Sequence, residues 1–105
     1  MIRATFYKKG KLLNGFEING HSGYADEGED IICASVSSAA YMTANTVTDV
    51  IMAQADITVE DGYMSFALKE ADDERIQVVL KGFFLHVNTL AGDYPEYITC
   101  RTKTV

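Results

Sequence analysis

Two segments with the hydrophobic period of a helix, an Asp61-Gly62 turn between two alternating runs, and alternating segments at both ends predict an α+β fold. The predicted order is ββαββαβ, with two helices packed on one face of a mixed, mostly antiparallel sheet. In "IRATFYK" the residues Ile2, Ala4 and Phe6 share one face, and "FEIN" continues the alternation with Phe16 and Ile18, so two strands meet near Gly10. From Asp30 to about Ala53 the positions Ile32, Val36, Ala39, Val47, Val50 and Ile51 form a helical stripe, with Thr43 filling its gap. In "DITVEDGYMSFAL" a two-residue turn at Asp61-Gly62 pairs Val59 with Met64 and Ile57 with Phe66. After the acidic entry "ADDE", Ile76, Val79, Leu80, Phe83, Phe84, Val87 and Leu90 mark a second amphipathic helix that Gly92 and Pro95 bring to an end. "YITCRTKTV" closes the chain as an alternating strand.

Composition bounds the kind of site this fold can carry. The 105 residues are 48% hydrophobic and 23% charged, enough for one core, and residues 1–105 read as a single domain. Two cysteines, Cys33 and Cys100, cannot build a disulfide framework. The N-terminal stretch carries Arg3, Lys8, Lys9 and Lys11 without an apolar signal core, and no run approaches a membrane span. A soluble protein of a reducing, cytoplasmic setting is expected, with Cys33 a free thiol. The net charge of −6 disfavours a nucleic-acid groove binder and suits a basic partner.

The stretch "GHSGYADEGEDIICASVSSAA", Gly20 to Ala40, brings a histidine, several carboxylates and a cysteine close together in sequence. With Asp30 as N-cap, Cys33 occupies the third helical position, where unpaired N–H groups and the positive end of the helix dipole favour a thiolate. The Asp30 carboxylate itself opposes that ionisation. His21 falls at the end of the second strand, before a loop containing Gly23 and Gly28, and a strand end commonly lies beside the start of the next helix. Residue types alone leave two readings open, a nucleophile with its base or two packed residues that are neighbours in sequence.

Other chemistry finds less support. Asp26, Glu27, Glu29 and Asp30 lack the ligand spacing of a calcium loop, no C-x-x-C is present, and neither histidine has a second ligand pair at zinc spacing, so no metal or other cofactor is expected. His86 lies off the second helix's stripe and reads as a surface residue, Cys100 as a small packed side chain, and Gly82 as a mark of close helix packing.

The run "GHSGYADEGEDIICASVSS" resembles the signature of the ribosomal-processing cysteine protease family. There a Gly-His-Ala element precedes a flexible loop, and an Asp-Ile-Val-Cys-Ala-Ala-Val-Ser element opens a helix. Length, element order, the Asp-Gly hairpin and the closing "YPEYI" are similar too, so the resemblance covers essentially the whole chain. Ser22 stands for the usual alanine, Ile32 for valine and Ser35 for alanine, and both reacting groups are kept.

The resemblance implies a bacterial, homodimeric endopeptidase that removes the N-terminal extension of a large-subunit ribosomal protein. His21 and Cys33 would be its catalytic dyad, and the loop with Ser22, Gly23 and Gly28 would order on the substrate. Backbone N–H groups near Cys33 and Ala34 would hold the oxyanion, and Asp30 or Ser37 would assist the dyad. The expected partner is the basic ribosomal protein's N-terminal extension, with no nucleic acid and no membrane. The alternative is a non-catalytic ribosome-assembly module that binds a basic ribosomal protein.

Overall fold

The computed structural model describes residues 1–20 and 27–105, with the backbone alone for 27–30. Strands β1 (Ile2–Lys9) and β2 (Leu12–Asn19) are followed by helix α1 (Glu27–Asn45), which runs on into a π-helical turn, Thr46–Val50. Then come β3 (Ala55–Glu60), β4 (Tyr63–Leu68), α2 (Glu74–Asp93) and β5 (Ile98–Thr104). The strands form one sheet in the order β3-β4-β2-β1-β5, antiparallel throughout except for the parallel pair β1 and β5. This is the expected ββαββαβ arrangement.

The inward face of the sheet carries Ile2, Ala4, Phe6, Phe16, Met64, Phe66 and Ile98, and both helices lie on it. Helix α1 contributes Ile32, Val36, Ala40, Ala44 and Val47; α2 contributes Ile76, Leu80, Phe83 and Val87. Aromatic rings bind the layers: Phe16 stacks on Phe66 at 5.1 Å, while Phe83 meets Phe16 edge-on at 4.8 Å. The opposite sheet face is polar, with Tyr63 Oη donating to Glu17 Oε2 at 3.2 Å and Arg101 Nε donating to Thr5 Oγ1 at 3.2 Å.

The Asp61-Gly62 hairpin has the anticipated register, Val59 opposite Met64 and Ile57 opposite Phe66, with Gly62 at φ 67° as such a turn requires. Three details depart from the periodic reading. Val50, assigned to the buried stripe of α1, is 75% exposed. The chain there forms a π turn, with Ile51 N donating to Thr46 O at 2.8 Å, and the wider turn rotates Val50 off the stripe. Ile57 and Val59 share the inward face but lie on the edge strand β3, which the helices leave uncovered, and both are exposed. Gly82 marks no close packing: it is exposed, and a Cβ there would meet nothing within 4 Å.

Gln77 is buried among the apolar side chains of α2, and its amide explains why. Strand β4 pairs with β2 only from Gly15 onward, and a bulge displaces the β1–β2 register next to Leu13. Gln77 takes over the pairing there: Leu13 N donates to Gln77 Oε1 at 2.9 Å, and Gln77 Nε2 donates to Leu13 O at 2.8 Å and Ala71 O at 2.7 Å. A buried polar side chain is thereby satisfied and α2 is tied to the sheet.

Candidate active site

Helix α1 begins at Glu27 rather than Asp30, which changes the setting of the thiol. Asp30 is the fourth helical residue and not the N-cap, Gly28 is the second helical residue and not part of a loop, and Cys33 is the seventh. Only the first four amides of a helix lack an internal partner, so the N–H groups of Cys33 and Ala34 belong to the helix's own ladder. The expectation that backbone N–H groups near Cys33 and Ala34 hold the oxyanion is corrected on that ground.

What α1 does provide is direction. Ile32 is buried against the sheet, and one step of about 100° round the helix turns Cys33 to the edge of the core, where it is half-buried. Cys33, Ser37 and Tyr41 follow one another at i, i+4 and i+8, and with Ala40 they form one wall of a cleft of about 310 Å³. Ile18 and Gly20 close it at the end of β2, and the hairpin turn from Glu60 to Met64 forms the opposite wall. The hydroxyls of Ser35 and Thr43 bond back to the carbonyls of Ile31 and Ala39, and Ser37 is a lining residue of the cleft.

His21, Ser22 and Gly23 lie outside the described residues. Gly20, the residue bonded directly to His21, is part of the cleft, and its amide donates to the carbonyl of Gly62 at 2.9 Å. The residue preceding the expected base and the residue bearing the expected nucleophile therefore face the same space. Tyr41, Glu60 and Tyr63 were not marked by their residue types. The helical spacing from Cys33 points to Tyr41, and the place of the Asp-Gly turn in the sheet points to the other two.

The second thiol sits in a different environment. Cys100 faces inward on β5 opposite Ala4, packed against the core, and burial pushes its pKa up to about 11. His86 is exposed on α2. Among the described residues no group of three or more His, Cys, Asp or Glu side chains converges as a metal site. No helix among them is long and apolar enough to cross a membrane.

Residues 1–99 match the family model described as Cysteine protease Prp. The chain belongs to the Prp cysteine protease family. It is accordingly a cysteine protease, a hydrolase of peptide bonds. Among Prp relatives, the ribosomal processing cysteine protease Prp of Bacillus subtilis (strain 168) is 27% identical over 114 residues, covering 100% of both chains. That of Staphylococcus aureus (strain Mu50) is 24% identical over 104 residues, covering 97% of each. The crystal structure of SMU.848 from Streptococcus mutans superposes with a TM-score of 0.91 at 31% identity, covering 100% of this chain and 96% of that one. The essential ribosomal processing protease Prp from S. aureus, solved with a covalently linked product peptide, has a TM-score of 0.89 at 21% identity over 98% of this chain and 100% of that chain, a likeness of fold.

Proposed function

We propose that this protease uses Cys33 as nucleophile and His21 as general base to remove the N-terminal extension of a large-subunit ribosomal protein. The observation that carries the reading is the shared cleft: Cys33 borders it, and so does Gly20, one peptide bond from His21. The imidazole takes the proton of the Cys33 thiol, and the thiolate attacks the scissile carbonyl carbon. The tetrahedral intermediate collapses to a thioester as the imidazolium gives its proton to the departing amine. Water, deprotonated by His21, then attacks the thioester, releasing the carboxylic acid and restoring the thiol.

Ser37, one turn beyond Cys33 on the cleft wall, is the proposed hydroxyl donor to the oxyanion. Asp30, three residues before Cys33 on the same helix, is proposed to orient His21, and Ser22 and Gly23 to take part in admitting substrate. The ribosomal substrate rests on the names of the relatives and on charge. Glu60 and Asp61 line the cleft of a chain with a net charge of −6, which favours encounter with a basic ribosomal protein. Solved S. aureus Prp complexes with substrate and product peptides support a peptide substrate for this chain too. Residues 1–105 act as one cytoplasmic domain and pair as a homodimer.

Mass spectrometry of the extended ribosomal protein after incubation tests the reading. The wild-type chain shortens it at one bond, and Cys33→Ala leaves it intact. Salt-sensitive binding that survives Cys33→Ser, with no shortening by the wild type, would make the ribosomal protein a binding partner and not the substrate.

A further inference from the structure

The cleft beside Cys33 has one uncharged wall and one anionic wall. Helix α1 and the π turn carry no charged side chain from Ile31 through Thr48, so Cys33, Ser37 and Tyr41 bring no charge to their side. The opposite side brings Glu60 and Asp61, and no lysine or arginine among the described residues lines the space. Glu60 is exposed, and its carboxylate has no hydrogen-bond or ion-pair partner among the described residues. Its backbone is nonetheless well placed. Glu60 ends β3 opposite Tyr63 in the ladder, and the turn that follows is fastened where the carbonyl of Gly62 accepts the amide of Gly20.

We infer that Glu60 is a specificity-determining residue, selecting peptides by pairing with a lysine or arginine side chain seated in the cleft near the scissile bond. The inference rests on the Cys33 reading above and deepens it, from steering of a basic protein to a local contact with the substrate. Apolar lining at Ile18, Ala40 and Met64 keeps the field of the carboxylate focused in the cleft. A substrate cation supplies the countercharge that no described lining residue supplies, while an acidic side chain in the same place is repelled, so exclusion adds to attraction. Reach sets the position. Tyr41 lies eight residues beyond Cys33 on α1, about 12 Å along the axis, a span that an extended peptide covers in about four residues. The basic residue therefore falls within about four residues of the cut bond. Because it does not touch the reacting atoms, the contact strengthens ground state and transition state alike and acts on KM more than on kcat.

A randomised synthetic peptide library, incubated with the full chain and with Cys33→Ala as the blank and read by mass spectrometry, tests this without assuming the ribosomal substrate. Wild-type cuts are enriched in Lys and Arg, and depleted in Asp and Glu, within about four residues of the cut. Glu60→Gln flattens that preference and Glu60→Lys reverses it. On two peptides drawn from those cuts, identical except for Lys or Glu at the enriched position, wild-type kcat/KM favours the Lys peptide at least about tenfold, mostly through KM, and Glu60→Lys inverts the order. Asp72→Lys makes the same change of charge beyond the far end of β4, outside the cleft, and keeps the wild-type preference. It separates a contact in the cleft from the field of the whole chain. Circular dichroism confirms that each variant is folded. Cuts without a charge preference, a preference that Glu60→Lys retains, or one that Asp72→Lys shifts equally, overturn the role of Glu60 and leave the Cys33 reading standing. A library cut equally by wild type and Cys33→Ala, or by neither, overturns both.

Discussion

The amide of Gly20 donates to the carbonyl of Gly62 at 2.9 Å, fastening the end of β2 to the turn of the β3–β4 hairpin. The bond fixes where the chain leaves the sheet on its way to His21, beside the cleft that Cys33 borders. Gly20 has φ +98°, a conformation L side chains rarely adopt, and a Cβ there would press into the carbonyl oxygen of Met1. Gly20→Ala should therefore move the cleft rim and lower kcat/KM at least about tenfold, equivalent to about 1.4 kcal/mol. Steady-state kinetics on a cleavable peptide, with circular dichroism to confirm folding, measures the loss.

Gln77 should matter for stability out of proportion to its polarity. Gln77→Leu removes three hydrogen bonds and strands the N–H and C=O of Leu13 beside the bulge. The expected destabilisation is about 2–4 kcal/mol, read from urea unfolding.

At Gly82 the opposite sign is expected. The site is exposed in mid-α2 with open space for a methyl group, so Gly82→Ala should stabilise by about 0.5–1 kcal/mol. The melting temperature should rise by a few degrees, roughly 4–8 °C per kcal/mol for a domain of this size.

The acid limb of stability should report the α2 cap. Asp73 accepts from Arg75 N at 2.8 Å and pairs with the Arg75 guanidinium at 2.7 Å, and these contacts hold its pKa down to about 2. A carboxylate depressed in the folded state contributes stability that is present above its unfolded pKa of about 3.9 and is lost as pH falls through the folded value. Wild-type stability should consequently fall more steeply from pH 4 to pH 2 than that of Asp73→Asn, which keeps a capping oxygen but not the charge. Thermal melts in that window check it.

Most of the fold was legible because its elements are periodic. The hairpin register followed from the Asp61-Gly62 turn, and the α2 stripe from the spacing of Ile76, Leu80, Phe83 and Val87. Features set by one local hydrogen bond were not legible. The π turn that exposes Val50 keeps a helical pattern in sequence, and nothing in the residue type of Gln77 announces the partners that Leu13 and Ala71 supply. The start of α1 lies four residues earlier than the sequence suggests, because Asp30 is a good N-cap type directly before an apolar run. That shift carried Cys33 past the first turn, which is why the backbone-donor part of the site changed while its place on the helix held. The cleft wall opposite Cys33 depends on strand order, which residue types do not encode.

Alkylation of the two thiols in one sample tests the central claim, that Cys33 is a nucleophile assisted by His21. With limiting iodoacetamide at pH 7.5 and peptide mass spectrometry, Cys33 should label at least about tenfold faster than Cys100, which burial keeps protonated until pH is near 11. His21→Ala should slow Cys33 severalfold and leave Cys100 unchanged. Equal, slow labelling of both cysteines, or a Cys33 rate indifferent to His21→Ala, would contradict the account.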